Sequence, residues 1–257
     1  LILIAGFFAG GAWGGFAGLL KAKRGINEVI STIMLNWIAL YIANYIVRLP
    51  LSPNVLAGLP PAGHSVIIPD AAKLTKLKEI FSAFGYSSAH TGIFIALAAA
   101  VVMWYVLFKT TIGYEIRTVG LNASAAEYGG ISKAKNTVLA MFLSGGLAGL
   151  GGAVQITGLV FMVNQSPALP GYGFTGLSVA LVGLSHPLGC IPSALLFGIL
   201  ENGSRQMQLA GIPSEITSII SGVILVFIAG SLIIKLAGDR LKSFGKRPAA
   251  HTEKEGA

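Results

Sequence analysis

The chain has 257 residues, of which 54% are hydrophobic, only 11% are charged and 34 are Gly. That profile excludes an ordinary soluble domain and predicts an all-α polytopic transmembrane helix bundle, in which apolar runs of about 20 residues cross roughly 30 Å of hydrocarbon. A net charge of +8 would suit nucleic acid, but the basic residues lie in loops and tail, where orientation in a bilayer accounts for them. The single cysteine, Cys190, excludes a disulfide framework and a Cys-based metal site.

The first expected span, residues 1–20, carries Gly6, Gly10, Gly14 and Gly18 at every fourth position. A stripe without side chains lets a neighbouring helix approach closely, which is how membrane helices gain packing energy when lipid already solvates their apolar groups. Leu1 lies inside an apolar run, with neither an initiator Met nor a basic leader before it, so the natural N-terminus is expected to lie upstream. Lys21, Lys23 and Arg24 follow the span and mark this end as cytoplasmic. The next span, residues 29–47, then runs outward, with Glu28, Thr32, Asn36 and Asn44 on an i, i+4 register along it. Polar side chains in hydrocarbon are costly; these either line a solute path or join helices through hydrogen bonds worth only ~1 kcal/mol each.

Residues 48–91 form an extracytoplasmic loop broken by Pro50, Pro53, Pro60, Pro61 and Pro69, with an amphipathic helix expected around 71–84. Contact with a receptor and a simple cover over the bundle are both open to it. Residues 92–108 return to the cytoplasm and deliver a polar insert, residues 109–136. In it Asn122 is a good N-cap, Ala123 to Tyr128 make about two turns of helix, and Gly129-Gly130 can leave that helix in a left-handed conformation. Ser132 caps the next span, 137–163, so a short helix lies at the membrane surface with its position set by the two spans it joins. That next span holds Gly145, Gly146, Gly149, Gly151 and Gly152, a second packing surface, and Gln155, a candidate for the path.

Residues 174–185 and 190–200 read as a hairpin of short or re-entrant helices joined by His186-Pro187-Leu188-Gly189. Glu201 and Asn202 follow; they line a pathway or sit at the interface beside Arg205. One more full span, 216–236, completes a membrane domain of residues 1–236. A basic cytoplasmic tail, 237–257, is expected to be disordered after about Ser243. All 18 Lys and Arg except Arg48, Lys73, Lys76, Lys78 and Arg205 then lie on the cytoplasmic side.

Three motifs carry a resemblance. They are Gly25-Ile26-Asn27-Glu28-Val29-Ile30 with Thr32 to Asn36; Gly113-Tyr114-Glu115-Ile116-Arg117 with Val119-Gly120-Leu121-Asn122, Ala125-Ala126 and Gly129-Gly130-Ile131; and Gly171 to Gly183. In separate places and in family order, they resemble permease subunits of ABC importers, in the branch for nucleosides and simple sugars whose more distant relatives carry ribose and branched-chain amino acids. Thr175 departs from the family, which often has Asp there. The resemblance implies a multi-pass permease of the plasma membrane whose insert docks on a separate ATPase subunit through Gly113, Glu115, Arg117, Gly120, Asn122, Ala126, Tyr128 and Gly129. It also implies ATP and Mg on that partner, no cofactor, metal or catalytic residue in this chain, a second permease subunit that is a paralogue, and an extracytoplasmic receptor. Nucleosides are the expected cargo and simple sugars the alternative.

Other classes fit less well. An ion-driven secondary transporter needs a buried acid or His relay near mid-membrane, which no full span offers. Gly171 to Gly176 matches G-x-G-x-x-G without the strand and βαβ unit of a dinucleotide site, and the Gly-rich span lacks the Lys-Ser/Thr of a phosphate loop. His64, His90, His186 and His251 form no H-E-x-x-H, and Gly183-Leu184-Ser185-His186 departs from a serine elbow at its last position.

Overall fold

The computed structural model describes residues 1–49, 51–58, 63–77 and 89–211, with isolated positions from 213 to 227. Among the described residues every regular element is helical; the only extended pairings are isolated bridges between His64 and Asn164 and between Lys76 and His90. The chain divides into two compact units, Leu1–Pro170 and Gly171–Ala257.

In the first unit, α1 (Ile2–Arg24) stops at Gly25, whose φ of 64° a side chain would resist, and its last turn gathers Lys21, Lys23 and Arg24 at the carbonyl end of the helix dipole. The Asn27 side chain accepts from Val29 N at 2.9 Å and starts α2 (Glu28–Arg48). A short helix, α3 (Pro53–Leu56), follows in the loop. After it come α4 (Gly92–Lys109), α5 (Thr111–Leu121), α6 (Ala123–Tyr128) and α7 (Lys133–Gln155), the last running into a π-helical turn, Ile156–Val160. Four of these, α1, α2, α4 and α7, are long and apolar enough to cross a membrane, the second and fourth together with the turns beyond them.

Three expectations change. The insert after α4 is not a loop carrying one short helix: Thr110 accepts from Gly113 N at 3.2 Å and nucleates the 11-residue α5 ahead of α6. The amphipathic helix does not begin at Ala71: residues 70–72 make one 3₁₀ turn, 73–76 are not helical and Leu77 is, while 78–84 lies outside the described residues. This stretch and residues 63–68 run along the end of α7, with Ser65, Ile68 and Leu74 donating to the carbonyls of Val163, Phe161 and Thr157 at 2.9 Å. The described part of the loop is therefore tied down by backbone hydrogen bonds. Outside the spans, the Asp70 carboxyl is held below its ordinary pKa by the Lys73 ammonium bonded to it at 2.6 Å.

The third change is in the second unit. Its first helix, α8 (Tyr172–Val182), is short, about 17 Å, as expected, but the second, α9 (Cys190–Leu209), runs 20 residues instead of stopping at Leu200. Glu201 and Asn202 lie inside it, because Glu, Arg, Gln and Met continue a helix as readily as the apolar residues before them. Between the arms, Leu184 and Ser185 both take φ near 55°, and Ser185 N bonds Ala180 O at 2.8 Å. The span 216–236 and the tail 237–257 lie largely outside the described residues, although the described positions from 216 to 227 are helical.

What holds the first unit together is a seam between α1 and α7. A Cβ built on Gly10 would meet Gly145 O and lie 2.8 Å from Gly149 Cα, and one on Gly14 would lie 3.0 Å from Gly145 Cα. The two stripes expected from sequence face each other, and the backbones touch. On one side of the seam the Phe7 and Phe142 rings meet edge to face at 6.2 Å, filling the space over Gly146 and Gly11. Gly151 and Gly152 take no part; nothing lies within 4 Å of a Cβ on either.

Candidate functional site

On the other side of the seam α1, α2 and α7 enclose a groove of about 430 Å³. Gly10, Gly14, Gly145 and Gly149 form its floor, so the residues that let the helices close also leave the space. Trp13, Leu35, Met141 and Ala148 give apolar walls, and Thr32, Asn36 and Ser144 give polar groups. Thr32 Oγ1 donates to Glu28 O at 2.7 Å, which leaves its lone pairs open to the groove. Asn36 is exposed, and its amide makes no hydrogen bond among the described residues. A mostly apolar concavity with a few polar groups is what binding a small solute requires.

Of the residues expected to line a path, the structure therefore brings Thr32 and Asn36 together. Glu28 instead pairs with Lys21 at 2.7 Å across the α1–α2 turn. Asn44 clasps the segment beyond α7, donating to Ser166 O at 2.8 Å and accepting from Ser166 N at 3.1 Å. Gln155 ends α7 half-buried, outside the groove, and Glu201 and Asn202 are exposed on α9 in the other unit. Sequence reading missed Trp13 and Ser144. Ser144 and Ala148 sit one residue before Gly145 and Gly149, an i, i+4 pair beside the stripe that a helical-face reading would have found.

The second candidate region is the α5–α6 hairpin. Asn122 caps α6, accepting from Ala125 N at 3.1 Å; Gly130 ends it with φ 79°, and Ile131 N returns to Ala126 O at 2.9 Å. Ala126, 1% exposed, anchors the helix, whereas Tyr128 is 98% and Leu121 89% exposed. Gly129 is the C-cap at ordinary φ, so Gly130 alone supplies the left-handed step. Gly113 packs on the backbone of Val106 and Leu107, a place with no room for a Cβ, while Gly120 faces open space. The Arg117 guanidinium lies 4.7 Å from the Phe108 ring centroid. Glu115 accepts from Asn136 Nδ2 at 3.0 Å, a bond from α5 to α7. Among the described residues no group of three or more His, Cys, Asp or Glu is placed to hold a metal ion.

Residues 1–229 match the family described as the permease component of the branched-chain amino acid transport system. A guanosine ABC transporter permease protein of Bacillus subtilis is 38% identical over 246 residues, covering 95% of this chain and 68% of that protein. A nucleoside ABC transporter permease protein of Lactococcus lactis is 37% identical over 257 residues, 100% of this chain and 69% of its own. A glucose ABC transporter permease protein of Haloferax volcanii is 30% identical over 91% of this chain and 62% of its own. No solved structure matches. With its apolar spans, its glycine seam and its motifs in family order, the chain belongs to this family of membrane-embedded permease components of ABC transport systems.

Proposed function

We propose that this chain is the permease subunit of a nucleoside ABC importer, lining the solute pathway while a separate subunit hydrolyses ATP. The observation that carries the reading is α6, a two-turn helix capped at both ends, anchored by Ala126 and bare at Tyr128, standing between two spans. Such a knob suits docking on a motor subunit, to which ATP and Mg are assigned. No residue here is assigned to catalysis or metal binding. Closure of the motor on ATP pushes α6 and biases the bundle between inward-open and outward-open states, while an external receptor delivers solute and a paralogous permease completes the pathway. In this reading α6 and the C-terminus are cytoplasmic, an orientation that the clustering of basic residues supports.

In this reading Thr32 and Asn36, with Trp13 and Ser144, contact the solute. Gln155, Glu201 and Asn202 remain proposed for stretches of the pathway beyond the groove. Glu28 and Asn44 are reassigned to holding α2 in place. An indole face beside a free amide suits a nucleobase, and the names of the two bacterial relatives support that cargo. A simple sugar is the second reading, favoured by the Haloferax relative.

The test is to extract the tagged full-length protein in mild detergent and identify its companions by mass spectrometry. An ATP-binding subunit and a second permease at comparable abundance are expected. Isolation as a plain homo-oligomer, under conditions that keep other complexes intact, would overturn the reading. Competition of labelled guanosine uptake by unlabelled nucleosides against glucose then separates the two cargoes.

A further inference from the structure

Asn136 lies in the first turn of α7 and is 2% exposed. Its Nδ2 donates to Glu115 Oε2 on α5 and to Ser132 O, both at 3.0 Å. Its Oδ1 is buried without a hydrogen-bond partner among the described residues. An unsatisfied buried acceptor is destabilising, and an apolar side chain of similar size would fill the same space without one. The amide is therefore needed for its donors. Among the described residues its bond to Glu115 is the only hydrogen bond between α5 and α7.

We propose that the Glu115–Asn136 bond is the joint through which displacement of α6 reaches the solute groove, which makes Asn136 a positioning residue for transport. The inference rests on the permease reading above. At one end of α5, Gly113 is packed on the α4 backbone and acts as a fixed pivot; at the other end, α5 turns directly into α6 at Asn122. Between pivot and knob, Glu115 grips α7. Because α7 and α1 touch backbone to backbone along the glycine seam, they move as one body. Among the described residues no glycine seam ties α2 to either; it is held near its two ends, by Glu28 to Lys21 and by Asn44 to Ser166. A push on α6 is thus delivered to the α1–α7 wall of the groove, carrying Trp13 and Ser144 relative to Thr32 and Asn36 on α2.

The test uses the assembled transporter in proteoliposomes, reading solute taken up per ATP hydrolysed. Asn136→Leu keeps volume and removes both donors; Glu115→Ala removes the acceptor from a half-buried position and reads the same joint should the first variant fail to assemble. Each is expected to lower uptake per ATP roughly tenfold, the scale of losing a hydrogen bond to a charged group, with ATP hydrolysis retained in Asn136→Leu. The double variant should be no worse than either single one, and Glu115→Gln, which still accepts from Nδ2, should keep most of the yield. Unchanged yield in both single variants, or losses that multiply in the double, would overturn the joint. If the unaltered complex shows no ATP-dependent uptake, the permease reading itself fails, and the inference falls with it.

Discussion

Replacing Gly10 by Ala adds one methyl group where the structure leaves no room. The new Cβ would sit 2.8 Å from Gly149 Cα and 3.0 Å from Gly149 N, and nearer still to Gly145 O. All three are backbone atoms in the middle of a helix, so no rotamer can yield. Ordinary carbon contacts begin at about 3.5 Å, and the helices must part by roughly 0.7 Å or more. A gap of that size forfeits about a quarter to a half of the local attraction, and the accompanying backbone shift places the total cost at about 2 to 4 kcal/mol. Ala returns about 1 kcal/mol as the better helix former, leaving a net loss of about 1 to 3 kcal/mol. Gly152→Ala is the reference: with nothing within 4 Å of its Cβ, it keeps only the propensity gain. Thermal unfolding of the full-length protein in mild detergent, followed by loss of the monodisperse peak, should place Gly10→Ala several degrees below the unaltered protein. Unfolding at or above the unaltered midpoint would refute the backbone-to-backbone seam.

Asn44→Ala removes both bonds to Ser166 and should cost about 1 to 2 kcal/mol, seen as faster amide exchange in residues 163–168 and in the outer turns of α2. Asn122→Ala removes the cap of a helix too short to survive without one; a loss of about 1 kcal/mol should appear as fraying of residues 123–128 in hydrogen exchange and as weaker retention of the motor subunit. In Lys73→Ala the Asp70 carboxyl should titrate closer to its ordinary value, as read by carboxyl-carbon resonances. Its folded pKa lies below the unfolded one, so the stabilisation from this pair is complete above the unfolded pKa and disappears as pH falls through the folded value.

Local signals were legible wherever one residue decides the geometry. Asn122, Ser132 and Gly130 each fix a helix end through a single side-chain oxygen or a single positive φ, and all three act as their types predict. The glycine stripes were legible as packing faces, but not which stripe meets which, because two helices separated by more than a hundred residues pair through shape alone. In α5, Ile112, Ile116 and Val119 recur at helical spacing, and the polar residues between them hid the pattern beside the far more apolar spans. Asn136 is the last residue of the expected polar insert, and its type alone does not set it apart. Its burial comes from α5 folding back over it, and nothing in the neighbouring sequence encodes that contact.

The groove and the seam share glycines, and this decides how their roles can be told apart. Gly6 lies in the seam, 2.9 Å from Ala153 Cβ for a built Cβ, but does not line the groove, whereas Gly14 does both. A methyl group at either position forces α1 from α7 and lowers stability for the same reason. Only at Gly14 does it also alter the floor between Trp13, Thr32 and Ser144. If the groove holds solute, uptake per folded molecule falls further at Gly14 than at Gly6 for an equal loss of unfolding midpoint. If the two effects track each other at both positions, the groove is a by-product of glycine packing, and the pathway runs elsewhere.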